Sequence, residues 1–270
     1  MTETGEPSRL KRVYLIPNAI TAFGLCCGLF VIFKSMLPAH TDNLVRLLQS
    51  ISSLILIAMI ADAADGAVAR IMKAESSFGE LFDSLSDSVT FGVAPPLIVL
   101  KSFEKYSLNR FFIFLLIVSS MIYTLCGVLR LVRYNLKKHK ANSENHHESL
   151  NCFMGLPIPA AASAIVSLSL FLVLFEKSIP YELRIIILSI SLLTIGGLMI
   201  SRWTFPSFKT LYFRVPSSSL ILVTGILAVL ILYSFMDYFI EGFFIISWSY
   251  LIVIWPIFLA FHKKNKQNKL

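Results

Sequence analysis

The chain has 270 residues, of which 56% are hydrophobic and 15% are charged, and its mean hydropathy is +0.74. This composition excludes a soluble globular domain and is typical of a polytopic membrane protein. The formal net charge of +8 would suit a nucleic-acid-binding protein, but cationic residues that flank membrane spans explain it better, so no nucleic-acid partner is expected.

Apolar segments long enough to cross a bilayer predict an all-α polytopic membrane protein, a bundle of about eight transmembrane helices with a six-helix core and two more. A total of six spans is the competing count. The predicted spans are residues 16–37, 48–68, 80–101, 111–132, 155–175, 184–200, 217–236 and 242–261.

The positive residues predict the orientation of the bundle. With eight spans, 17 of the 24 Lys and Arg residues fall on the side of both termini, so the termini and the turn after the second span are expected in the cytoplasm, with the chain in the cell membrane. We expect an interfacial segment at 1–15, a membrane core at 16–214, two additional helices at 215–262 and a basic tail at 263–270.

The first predicted span opens with the segment P-N-A-I-T at residues 17–21. Pro17 suits a helix start, and Asn18 and Thr21 are three residues apart, so their side chains share one helix face at the cytoplasmic end. Two interpretations are open: the polar side chains cap the backbone, or they contact a polar ligand such as a nucleotide.

Four aspartates interrupt the apolar sequence between residues 62 and 87, namely Asp62, Asp65, Asp83 and Asp87. A carboxylate at the bilayer centre costs about 2.5–3.5 kcal/mol, and less towards the interface. Four such groups require compensation, and divalent cations are the obvious agents.

The spacing of these aspartates predicts a single site. Asp65 and Gly66 lie on the helix face of Asp62, and Asp83 and Asp87 are separated by four residues, so two helices meeting at a short turn would bring the carboxylates together. Oxygen ligands in that number suit Mg²⁺ or Mn²⁺. Gly66 would let a ligand approach the backbone, and a cation one turn further on, Arg70, could meet a phosphate.

Two other groups of residues allow competing interpretations. Arg130 and Arg133 end the fourth predicted span, where they either snorkel to the membrane surface or bind an anion. The cysteines, by contrast, lack metal-ligand spacing, and we interpret them as small apolar side chains in a reducing compartment. They are Cys26, Cys27, Cys126 and Cys152.

The aspartate segment has the pattern D-x2-D-G-x2-A-R-x8-G-x3-D-x3-D, which resembles the signature of the CDP-alcohol phosphatidyltransferase family at every fixed position. Within that family, the chain is similar to the phosphatidylserine synthase branch through F-G-V-A-P at 91–95, F-M-G-L-P-I-P-A-A-A at 153–162 and parts of 198–209. Thr90 and Tyr134 depart from the branch, which usually has serine and phenylalanine there.

The resemblance implies transfer of the phosphatidyl group of CDP-diacylglycerol to the hydroxyl of L-serine, with release of CMP, by a homodimer. Two divalent cations, Mg²⁺ or Mn²⁺, would be held by the four aspartates, and we expect Asp87 also to act as the general base. Arg130 and Arg133 are candidates to bind the serine carboxylate. The candidates to bind CDP-diacylglycerol are Asn18, Thr21, Gly66, Arg70 and Ser76.

Two alternatives stay open at the level of sequence. The signature does not name the acceptor alcohol, which in relatives is also glycerol 3-phosphate or inositol phosphate. A cation transporter could also carry intramembrane aspartates, but it would be expected to place them near the midplane within repeated units, and the sequence has no evident repeat.

Overall fold

The computed structural model describes residues 7–38, 44–72, 74, 76–143, 153–201, 204–205, 239–249 and 251–252. Helices dominate this part of the chain, as predicted, and the one departure from an all-α fold is a pair of two-residue strands, β1 (Phe153–Met154) and β2 (Thr204–Phe205). The α-helices are α1 (Pro7–Met36), α2 (Leu44–Ile71), α3 (Ser77–Asp87), α4 (Ala94–Lys101), α5 (Arg110–Ser143), α6 (Ile158–Leu174), α7 (Tyr181–Ile200) and α8 (Phe239–Ser249).

Within the described residues, four helices are long and apolar enough to cross a membrane: Leu15–Met36, Leu44–Ile71, Arg110–Leu136 and Tyr181–Ile200. They coincide with four of the predicted spans, and the chain is therefore a multi-pass membrane protein. The predicted span at 80–101 is a composite of α3, a π-helical segment (Ser88–Val93) and α4, and the span at 155–175 is the shorter α6. The span at 217–236 lies outside the described residues, as does half of the last one.

The helix α6 is the centre of the bundle. Every residue from Ala161 to Leu170 is buried, and α6 packs against α2, α4, α7 and α8. The helix α5, in contrast, leaves large apolar side chains such as Phe114 and Leu125 more than half exposed. An apolar helix that is buried on every face belongs to the protein core, whereas the exposed apolar face of α5 is suited to contact with lipid.

The π-helical segment between α3 and α4 depends on two side chains from α5. In α-helical geometry, residues 95 and 96 would donate to the carbonyls of Phe91 and Gly92, but both are prolines and have no N–H. Tyr123 donates its hydroxyl to the Phe91 carbonyl at 3.2 Å, and Thr124 donates to the Gly92 carbonyl at 2.9 Å. Two carbonyls that the prolines leave without a helical donor are thus satisfied from the neighbouring helix.

The short strands join two segments that are distant in sequence. β1 pairs with β2 in antiparallel fashion, with Phe153 opposite Phe205. Between β1 and α6, Gly155 adopts a φ of +83°, and a Cβ there would come within 3.1 Å of the Met199 carbonyl carbon. The chain can cross the end of α7 this closely because residue 155 has no side chain.

The end of the bundle away from the aspartates uses cations as structural groups. Lys101 is buried and donates to the carbonyl of Leu37. Arg184 is 2% exposed, and its guanidinium lies 5.7 Å and 5.0 Å from the ring centroids of Phe103 and Tyr106. Cation–π contacts of this kind stabilise a buried guanidinium.

Candidate active site

The helices α1, α2 and α3 meet at the four aspartates: only residues 72–76 separate α2 from α3, and α1 packs against both. Thr21 on α1 donates its hydroxyl to a carboxylate oxygen of Asp65 on α2 at 2.5 Å. Ser86 on α3 lies 3.5 Å from the Thr21 carbonyl, to which it donates. The three helices enclose a small cavity lined by all four aspartates, Thr21 and Thr90, among others.

Three of the aspartates form a compact carboxylate cluster. Asp62, Asp83 and Asp87 can each place one carboxylate oxygen within 4.8 Å of the other two, and all three are half-buried. A set of hard oxygen donors in this arrangement fits a divalent cation such as Mg²⁺ or Mn²⁺. Two helices that meet at a short turn therefore bring these three residues together, as their spacing predicted.

Asp65 has different surroundings from the other three aspartates. It is 5% exposed, it accepts the hydrogen bond of Thr21, and it does not belong to the three-carboxylate cluster. It still lines the same cavity. The hydrogen bond fixes the position of the Asp65 side chain, and its assignment as a metal ligand stays a prediction.

The N-terminus of α3 brings together Ser76, Gly79 and Asn18. Ser76 is the N-cap residue of α3 and accepts a hydrogen bond from the Gly79 N–H at 3.0 Å. A Cβ at Gly79 would lie 2.9 Å from the Asn18 side-chain oxygen, so the glycine is what lets α1 approach α3 here. Ser76 thus has a local capping task, and the contacts of Ser76 and Asn18 with substrate stay predictions.

Gly66 and Arg70 lie at the end of α2, on the side of the aspartates that faces the turn. A Cβ at Gly66 would be 3.8 Å from a guanidinium nitrogen of Arg70, so the Arg70 side chain folds back along its own helix over the glycine. Arg70 is itself exposed. The pair forms a cationic edge beside an open stretch of backbone, an arrangement suited to a phosphate group.

The two arginines at the end of α5 have distinct environments. Arg130 is 8% exposed, and its positive charge interacts with the Asp87 carboxylate. Arg133 instead donates to the carbonyl of Ile200 at 2.9 Å. Arg130 therefore faces the site, whereas Arg133 ties α5 to the last turn of α7.

Sequence reasoning did not identify two contacts that hold the site in place. Asn135 donates to the Ser84 hydroxyl at 2.9 Å and so attaches α5 to α3. Gly28 on α1 packs against Thr90, since a Cβ at residue 28 would lie 2.8 Å from the Thr90 Cβ. Small residues in a membrane helix signal close packing in general, but the sequence alone does not show which helix approaches them.

The model of the CDP-alcohol phosphatidyltransferase family matches residues 14–200. Three similar proteins are each named CDP-diacylglycerol–serine O-phosphatidyltransferase. That of Helicobacter pylori is 32% identical over 79% of this chain and 81% of its own length. That of Bacillus subtilis is 32% identical over 72% and 91%, and that of Methanocaldococcus jannaschii is 38% identical over 67% and 75%.

These matches cover the helices that build the site. The family model spans α2, α3 and α7 completely and therefore includes every aspartate of the cavity. The chain belongs to the CDP-alcohol phosphatidyltransferase family, and the resemblance found in the aspartate motif is confirmed.

Proposed function

We propose that the chain transfers the phosphatidyl group of CDP-diacylglycerol to the hydroxyl of L-serine and releases CMP. The observation that carries this proposal is the cluster of Asp62, Asp83 and Asp87 in a cavity at the junction of α1, α2 and α3. The serine acceptor is supported by the names of the relatives, which span most of the chain, and by the branch-like segments around β1 and β2.

The carboxylate cluster is where we place the divalent cations. Asp62, Asp83 and Asp87 would hold them, with Asp65 as a further ligand beside Thr21. Bound Mg²⁺ or Mn²⁺ would neutralise the charge of the diphosphate and stabilise the charge that develops on its oxygens.

Asp87 is the proposed general base. Its carboxylate would accept the proton of the serine hydroxyl while the hydroxyl oxygen forms a bond to the phosphorus that carries diacylglycerol. The bond between that phosphorus and the bridging oxygen breaks, and CMP leaves with the electron pair.

The nucleotide is assigned to the end of the cavity where α2 turns into α3. Arg70 and the backbone at Gly66 would contact phosphate, while Asn18, Thr21 and Ser76 lie on the α1 and α3 side of the same end. Arg130 is the better candidate to bind the serine carboxylate. Arg133 already uses one nitrogen for the Ile200 carbonyl.

The membrane arrangement is part of the proposal. We place the aspartate cavity at the cytoplasmic face of the cell membrane, with eight spans and both termini in the cytoplasm, because 17 of the 24 Lys and Arg residues then lie on that side. A homodimer is expected from the family resemblance.

The test is release of CMP from CDP-diacylglycerol by purified protein in detergent with Mg²⁺ or Mn²⁺. Serine, glycerol 3-phosphate and inositol phosphate are supplied in parallel reactions, with EDTA in matched controls. Release that needs serine and is abolished by EDTA supports the proposal. Release with another acceptor alone would keep the carboxylate site and contradict the choice of serine, and release with none of them would contradict the transferase proposal.

A further inference from the structure

Thr90 carries a hydroxyl that has no assigned task in the folded chain. The residue is 1% exposed, and its hydroxyl oxygen has no hydrogen-bond partner among the described residues. Thr90 also lines the cavity that contains the four aspartates. Its hydroxyl oxygen lies beside Gly28 of α1. A buried hydroxyl without a partner is unfavourable, and in a residue that lines a ligand cavity it is suited to bind a group of the bound molecule.

Neighbouring hydroxyls do not share this property. Thr21 donates to Asp65, and Ser86 donates to the Thr21 carbonyl. Ser88, in the same π-helical segment as Thr90, donates to the carbonyl of Ser84 one turn earlier. Thr90 makes no such bond to its own helix, although serine and threonine commonly do so.

The position of Thr90 separates it from the proposed nucleotide end. Thr90 packs against Gly28 of α1, whereas the Ser76 and Gly79 end of α3 packs against Asn18. Ten residues of α1 helix separate these contacts, which corresponds to about 15 Å along the helix axis. Thr21, which bonds Asp65, lies between them. Asp65 therefore lies between the nucleotide end and Thr90.

In-line displacement requires the attacking oxygen and the leaving group to lie on opposite sides of the phosphorus. With CMP leaving towards the nucleotide end, the acceptor hydroxyl has to approach from the other side, where Thr90 lies. Asp87, the proposed base, precedes Thr90 by three residues, and both residues line the cavity.

We infer that Thr90 is a positioning residue for the acceptor alcohol, and that its hydroxyl hydrogen-bonds to the serine hydroxyl oxygen beside Asp87. This inference rests on the proposed serine transfer. Thr90→Val removes the hydroxyl at nearly constant volume, and we expect the apparent KM for serine to rise about tenfold while that for CDP-diacylglycerol changes less than twofold. Thr90→Ser should restore the wild-type KM for serine.

Steady-state kinetics test the inference. The purified wild type, Thr90→Val and Thr90→Ser are compared, with serine and CDP-diacylglycerol varied in turn. Thr194→Val is the matched control, because Thr194 is exposed on α7 and bonds only its own helix among the described contacts. If Thr90→Val does not fold, Thr90→Cys replaces it, since a thiol is a poor hydrogen-bond donor of similar size.

Three results would each overturn the inference. They are unchanged KM values in the hydroxyl-free variants, equal rises in KM for both substrates, and failure of Thr90→Ser to restore the serine KM. A wild-type protein that shows serine-dependent CMP release together with any of these results leaves the proposed function intact. A wild-type protein without serine-dependent release overturns the proposed function and this inference with it.

Discussion

Four aspartates that look equivalent in the motif differ once their surroundings are known. Asp65 is buried and takes the hydrogen bond of Thr21, whereas Asp62, Asp83 and Asp87 form the half-buried cluster. The spacing of the motif is enough to predict that the carboxylates meet, because helix periodicity fixes which residues share a face. It does not predict that one carboxylate is held by a hydroxyl from α1, since that contact depends on how α1 packs.

The two arginines of α5 give a prediction at the residue scale. Arg130 is buried and acts on Asp87, while Arg133 bonds the Ile200 carbonyl. We expect Arg130→Gln to raise the apparent KM for serine at least tenfold with a smaller change for CDP-diacylglycerol, because the serine carboxylate loses its cation. Steady-state kinetics with each substrate varied in turn measure this.

Arg133→Gln is the matched variant, three residues away on the same helix. It should lower the thermal unfolding midpoint and leave the serine KM within about twofold of wild type, since a lost structural hydrogen bond is worth about 1 kcal/mol. The reverse pattern, with the larger serine effect at residue 133, would contradict the assignment.

At the scale of elements, the sequence predicts the span at 80–101 but not its π-helical segment. The prolines at 95–96 show that two backbone donors are missing, but the sequence does not show which side chains replace them. Tyr123 and Thr124 do so from α5. The replacement needs a neighbouring helix in a particular register, which is a property of the packed bundle.

Tyr123→Phe tests this arrangement. The substitution leaves the Phe91 carbonyl without its hydroxyl donor in a fully buried position, and we expect a loss of about 1–3 kcal/mol in stability. The thermal unfolding midpoint in detergent measures it. Tyr134→Phe is the control, because Tyr134 is 38% exposed and should change the midpoint much less. Equal midpoints for the two variants would count against a role for Tyr123 in holding the π-helical segment.

The strand pair links the two segments that indicated the phosphatidylserine synthase branch, F-M-G-L-P-I-P at 153–159 and the stretch after Leu198. Their separate resemblance to that branch could be predicted from sequence, but their pairing could not, because two-residue strands leave no periodic pattern. β1 lies directly against β2, and the chain between β1 and α6 passes the end of α7 at Gly155.

Gly155→Ala is predicted to destabilise the protein by more than 1 kcal/mol, because the added Cβ meets the Met199 carbonyl and the φ of +83° is unfavourable for alanine. Gly197→Ala on α7 is the matched control, since a Cβ there has no neighbour within 4 Å and alanine favours helix. Unfolding midpoints of the two variants decide the matter. An equal loss of stability at Gly197 would contradict the claim that residue 155 has to be glycine because of its φ and its contact with Met199.

At the scale of the whole molecule, the two ends of the bundle use charge differently. One end carries the aspartate cavity, whereas the other has Lys101 and Arg184 buried among structural partners. There Glu176 binds Lys105, and this hydrogen bond lowers the pKa of Glu176. Lys101, Lys105 and Arg184 therefore serve the fold at this end of the bundle.

Two serines at opposite ends of the bundle allow the orientation to be measured. Ser77 begins α3 and Ser107 lies between α4 and α5, and both are exposed. In a protein with its native cysteines replaced, Ser107→Cys should react with a membrane-impermeant maleimide in intact cells. Ser77→Cys should react only after the membrane is permeabilised, because it is predicted to face the cytoplasm. Labelling of Ser77→Cys in intact cells would invert the proposed topology.

The central claim is that the aspartate cavity transfers a phosphatidyl group to serine, and the most direct measurement follows labelled L-serine into lipid. Purified wild-type protein with CDP-diacylglycerol and Mg²⁺ or Mn²⁺ should produce labelled phosphatidylserine, and Asp87→Asn should reduce this rate by about 10²–10⁴-fold because the general base is lost. Binding of CDP-diacylglycerol by Asp87→Asn should be largely retained. Near-normal transfer by Asp87→Asn, or no labelled lipid from the wild type, would contradict the account.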